Sequence, residues 1–97
     1  MPDLAYLDEL NTAMARVQNA CDGVPLPMNA VDDYVVVSAN KDSDPTMAER
    51  WLNQLQTDGF VLASGDSTNA LLRDEVDRAQ VNLVDSNNYV VMKIWLK

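Results

Sequence analysis

The sequence predicts an α+β domain: an antiparallel sheet of three to four strands packed with two to three helices. Three observations carry this. Residues 3–21 bear an apolar stripe at helical spacing. A second helix is announced by Asp44-Pro45 and closed by Asp58-Gly59. The closing run YVVMKIWLK is rich in β-branched and aromatic side chains and reads as a strand. With 97 residues, 47% of them hydrophobic, the chain makes one globular domain. It divides into an amphipathic helix (1–23), a connector (24–32) and an α+β core (33–97).

In the first helix Leu7, Leu10, Met14, Val17 and Cys21 recur at alternating intervals of three and four, and Tyr6, Ala13 and Ala20 flank that seam. A stripe this wide suits globular packing better than a coiled coil. Asp3 can cap the start, Gly23 supplies a left-handed stop, and Pro25 and Pro27 forbid a restart. VPLPMNAVDD then reads as an extended connector and YVVVSA (34–39) as a strand. Asp44 is the expected N-cap of the second helix, with Pro45 at its first position, where a missing N–H costs nothing. Met47, Ala48, Trp51, Leu52 and Leu55 form one apolar face. Gly59 provides the positive φ needed to leave the helix, and FVLAS follows as a strand. Trp51 and Phe60 are the aromatic pair expected to pin helix to sheet.

A third helix is expected over 67–78. Its basis is the spacing of Leu72, Val76, Ala79 and Leu83, the i,i+4 pairs Arg73–Asp77 and Asp74–Arg78, and Ser67 as a cap. An extended reading of 67–83 stays open, and QVNLVD (80–85) reads as a strand. Ser86-Asn87-Asn88 suits a hairpin loop into the last strand. There Val90, Met92, Ile94 and Leu96 make one face, and Tyr89, Val91, Lys93 and Trp95 the other. Both faces want cover. Tyr89, Val91 and Trp95 are therefore the expected interface of a homo-oligomer.

Four segments carry a resemblance: Tyr34-Val35-Val36-Val37; Leu52-Asn53-Gln54-Leu55-Gln56-Thr57-Asp58-Gly59-Phe60; Leu62-Ala63-Ser64; and Tyr89 through Lys97. Over residues 33–64 and 89–97 the chain resembles a family of small β-α-β-β domains of unknown function. It departs from that pattern in the helix that stands in front and in the length of 65–86. The resemblance implies a β-α-β-β sheet topology and no activity.

Composition narrows the function. Fifteen acids against seven bases give a net charge of −8, which disfavours direct binding to nucleic acid or to an anionic membrane surface. No apolar run approaches the ~20 residues of a bilayer crossing. The N-terminus carries carboxylates before any base, unlike a secretory signal, and the single cysteine forms no internal disulfide, so a cytoplasmic location is expected. Histidine is absent, which removes the commonest general base and most zinc sites. Cys21, on the apolar seam, reads as a buried inert thiol. Asp42, Asp44, Thr46 and Glu49 loosely suggest an oxygen-rich cation loop, but Pro45 and Met47 stand where such a loop needs flexible backbone. No glycine-rich phosphate loop is present. No catalytic residue, metal ligand or cofactor is expected.

The expected function is a non-catalytic interaction domain, such as an acidic inhibitor, immunity or adaptor protein, that binds a basic surface on a protein partner. Asp8, Glu9, Asp32, Asp33, Asp74, Glu75 and Asp77 are the candidate partner-binding residues. The competing expectation is an oligomeric small-molecule binder with an apolar pocket.

Overall fold

The computed structural model describes residues 4–21, 24–25, 33–42, 44–66 and 68–97. Asp3, Gly23, Pro27, Asp32 and Ser67, to which the sequence assigned roles, lie outside them.

The fold is α+β, with two helices among the described residues and an antiparallel sheet of five full strands rather than three to four. Helix α1 (Leu4–Ala20) is followed by the two-residue strand β1 (Val24–Pro25), then β2 (Tyr34–Asn40), α2 (Met47–Thr57), β3 (Phe60–Ser64), β4 (Asn69–Asp74), β5 (Ala79–Asp85) and β6 (Tyr89–Leu96). Across the sheet the order is β1-β2-β6-β5-β4-β3, so β1 adds a short sixth strand at one edge. The helix α2 carries the chain from β2 over to β3 at the far edge.

Both helices lie on one face of the sheet. Leu10, Ala13, Val17 and Cys21 of the first helical segment and Met47, Ala48, Trp51 and Leu55 of α2 share a core with Val35, Val37, Ala70, Leu72, Val81, Leu83, Val90, Met92 and Ile94. The alternation read from the last strand holds, with Val90, Met92, Ile94 and Leu96 buried. Trp51 and Phe60 are both buried, as expected of the aromatic pair between helix and sheet. Gly59 has a φ of +112° at the exit from α2. The Ser86 N–H donates to the Tyr89 carbonyl at 2.9 Å and closes the β5–β6 hairpin.

Two local expectations are corrected. There is no helix at 67–78. Instead β4 and β5 form a hairpin, with Arg73 opposite Gln80 and bends at 75–78. The period is two: Ala70, Leu72 and Asp74 are buried while Asn69 and Arg73 are exposed. Of the supposed helical stripe, Val76 is 91% exposed. Arg73 lies near Glu75 (3.5 Å) and Arg78 pairs with Glu9 (2.7 Å), so neither expected i,i+4 ion pair forms. A few tenths of a kcal/mol per pair could not outweigh a complete inner-face strand.

Asp44 does not cap α2 directly either. The cap position is Thr46, and Asp44 acts one step earlier, accepting the Thr46 N–H at 3.1 Å and the Thr46 hydroxyl at 2.8 Å. Its other oxygen accepts from Arg50 Nε at 2.8 Å. The carboxylate thus shapes the turn that delivers the chain into the helix.

Candidate functional site: an acidic end and an open sheet face

Helix α1 lies against the sheet so that its solvent side faces the turn between β4 and β5. Asp8, Glu9, Thr12, Ala13 and Arg16 form one wall of a groove of about 650 Å³, and Val76, Asp77, Arg78, Ala79 and Leu96 complete it. The floor is apolar and the rim carries both signs of charge. Glu9 and Arg78, far apart in sequence, meet across it: Arg78 donates from Nε at 2.9 Å and from Nη2 at 2.7 Å to Glu9 Oε2.

Arg16 anchors this end. Its Nε donates to Asp58 Oδ2 at 2.6 Å and its Nη2 to the Asp58 carbonyl at 2.7 Å, so α1 is tied to the end of α2. Its Nη1 pairs with Asp74 and lies 3.6 Å from Asp77 Oδ2. The guanidinium stacks 4.8 Å from the centre of the Phe60 ring. Asp74 is only 7% exposed. Its second oxygen accepts the N–H groups of Val76 (2.7 Å) and Asp77 (3.2 Å), which folds the chain back sharply. The buried carboxylate therefore builds the turn that projects Glu75, Val76 and Asp77 into solvent.

The structure sorts the acids singled out from sequence. Asp8, Glu9 and Asp77 line one groove, and Glu75 sits on the same turn. Asp74 lies behind them and points inward. Asp33 lies apart, in a shallow depression with Tyr6, Lys93 and Trp95, where its backbone carbonyl accepts from the Tyr6 hydroxyl at 2.7 Å. Sequence reasoning missed Arg16, Arg78 and Val76. Arg16 had a signal: it is the only base before Lys41, placed on an otherwise acidic helix. Val76 had none, because its exposure follows from the turn.

The titration of Asp44 is displaced downward. The Thr46 hydroxyl and then the Arg50 guanidinium, both donating to it, hold its carboxyl below the usual aspartate value.

The other face of the sheet is uncovered among the described residues. It presents Tyr34 and Val36 from β2, Tyr89, Val91, Lys93 and Trp95 from β6, Gln80, Asn82 and Val84 from β5, and Leu71 and Arg73 from β4. The three residues expected at an oligomer interface, Tyr89, Val91 and Trp95, all lie here. Lys93 Nζ sits 4.2 Å from the centre of the Tyr34 ring and 6.0 Å from that of Trp95. Among its described strand positions this face carries Lys93 and Arg73 and no carboxylate.

No helix of the described residues is long and apolar enough to cross a membrane. The chain matches no protein-family model, no curated protein and no solved structure. The resemblance over 33–64 and 89–97 thus rests on sequence pattern alone; of the two stretches it left unmatched, the first holds α1 and the second, 65–86, holds the β4–β5 hairpin.

Proposed function

We propose that this chain is a non-catalytic protein-interaction domain whose acidic end docks on a basic surface of a partner, as an inhibitor, immunity or adaptor protein does. One observation carries the reading. Asp8 and Glu9 on α1 and Asp77 on a turn far along the chain line one groove at one end of the fold, with the exposed Val76 and Glu75 on the same turn. Arg78 and Arg73 sit beside Glu9 and Glu75, so what steers a basic partner into encounter is the remaining excess of carboxylates over bases at this end. A protruding apolar side chain within them gives the encounter something to bury. A cytoplasmic setting suits a chain whose one cysteine, Cys21, is buried.

The test is affinity capture from the native host, eluted with a salt ramp, comparing the wild-type chain with the double variant Glu75→Lys, Asp77→Lys. A basic protein retained by the wild type and lost by the variant supports the reading. Identical eluates from the two baits would contradict it.

A second reading, small-molecule binding, is favoured by the groove itself. Its volume of about 650 Å³ and its floor of Ala13, Ala79 and Leu96 fall within the usual range for ligand sites. A rise in melting temperature with one metabolite of a panel, lost in Thr12→Trp at the exposed wall of the groove, would select it.

A further inference from the structure

The two edges of the sheet differ. At one, β1 is two residues long and contains Pro25, which has no backbone N–H to offer a further strand. At the other, β3 pairs with β4 on one side, and no described strand pairs with its second side. That side turns backbone N–H and C=O groups outward along FVLAS, five residues with no charge and no proline to blunt the edge. Phe60 is buried, but Val61 and Leu62 are 40% and 37% exposed, and Ala63 is exposed as well. Consecutive exposed apolar residues mean that neither face of this strand is covered beyond Phe60.

We infer that β3 pairs with β3 of a second copy of this chain, antiparallel about a two-fold axis, and joins the two sheets into one. This goes beyond the acidic-end reading and does not depend on it. A free apolar edge is a template for another strand, and charge selects whose. Residues 51–65, which include all of β3 and most of α2, hold one charged residue, Asp58, and Arg16 Nε donates to its Oδ2 at 2.6 Å. On α2, which packs against β3, the exposed residues of the second half are Asn53, Gln54, Gln56 and Thr57, all uncharged. A neutral edge offers a basic partner no attraction. It does let two chains of net charge −8 meet without setting carboxylate against carboxylate.

The register follows from the same logic. Pairing of β3 with β4 is regular over Phe60–Leu62 and shifts between Leu62 and Ser64, so the regular part is centred on Val61. An axis there sets Val61 against Val61 of the second copy, Phe60 against Leu62, and Asp58 against Ser64. An axis at Leu62 would set Asp58 against Asp66, and like charges directly opposite are destabilising. The contact is isologous and closes at two copies. Five residues make about 17 Å of edge, too little alone for the ~800 Å² per partner of a standard stable interface. The dimer is accordingly weak and dependent on concentration. Salt strengthens it, because the contact is neutral while the net charges repel.

The experiment is sedimentation equilibrium on the full chain up to millimolar concentration, at low and high salt, with Val61→Lys and Val61→Glu. Unchanged circular dichroism and melting establish that both variants fold. The wild type is expected to approach twice the monomer mass and go no further, reaching it at lower concentration in high salt. Each variant alone is expected to stay monomeric, since it sets like charges on the axis. An equimolar mixture of the two is expected to recover the dimer. A monomeric wild type, growth beyond two copies, self-association abolished by salt, or a mixture no heavier than its components would overturn the inference. So would a dimer that survives in both variants. As an independent readout, Val61→Cys is expected to form a disulfide-linked dimer in air faster than Val84→Cys, which is 38% exposed on the outer sheet face. Equal rates would also overturn the inference.

Discussion

A methyl group added at Gly65 would sit 1.7 Å from the Asn69 carbonyl oxygen, and the backbone there has a φ of +87°. Both facts penalise any side chain. Gly65→Ala is expected to cost about 1–3 kcal/mol or more in urea unfolding, and a variant as stable as wild type would show that this turn is misplaced. Trp51 is fully buried, with its indole N–H lacking a partner among the described residues. An unpaired buried donor costs about 1–3 kcal/mol. Trp51→Phe should therefore lose under about 1.5 kcal/mol, while Trp51→Ala loses ~3–5. Equal losses for the two would mean that the N–H is satisfied.

Asp44 gives a pH dependence with a definite sign. Its folded carboxyl titrates below the ordinary value, so its contribution is complete above the unfolded pKa of about 3.9 and is lost as pH falls through the folded one. The urea midpoint of the wild type should fall more steeply below about pH 4 than that of Asp44→Asn. Parallel curves would remove Asp44 from the account. The glycine exit at Gly59 was legible from sequence because only one residue type suits it; the role of Asp44 was legible only to within two positions, since an aspartate ahead of a helix can bind several N–H groups.

At the scale of elements, α1, α2 and β6 could be read because each carries a full period of apolar residues and its own punctuation. The β4–β5 hairpin could not. Leu72, Val76, Ala79 and Leu83 fit a helical period by coincidence, and Asp74, which sits at an inner-face strand position, looks like a surface acid in sequence. What decides is Arg16, far away on α1, which neutralises Asp74 and lets a carboxylate occupy the buried row. Asp74→Ala takes the acceptor from two turn N–H groups as well as a partner from Arg16, and should cost about 2–3 kcal/mol. Asp74→Asn, which keeps an acceptor oxygen, should cost less. Similar losses below ~0.5 kcal/mol in both would show that the clamp contributes little. Val76→Ser should leave stability within about 0.5 kcal/mol, because the side chain is exposed in a turn; a large loss would restore the helical reading.

For the molecule as a whole, the sequence gives the amount of charge but not its distribution. Counting along the chain disperses the acids, whereas the fold brings Asp8, Glu9 and Asp77 around one groove, with Glu75 on the same turn. That gathering depends on the hairpin and on Arg16, so the sequence could name Asp8, Glu9, Glu75 and Asp77 as candidates but not bring them together. We propose this end as a recognition surface rather than part of a uniformly acidic exterior. The most direct measurement is a two-dimensional NMR titration of the labelled chain with a short arginine-rich peptide at about 0.15 M salt, where long-range attraction is screened beyond roughly 8 Å. Shifts are expected only in α1 around Asp8–Thr12 and in the turn from Glu75 to Arg78. Shifts spread equally over Asp33, Asp42 and Asp66, or none at all, would contradict it.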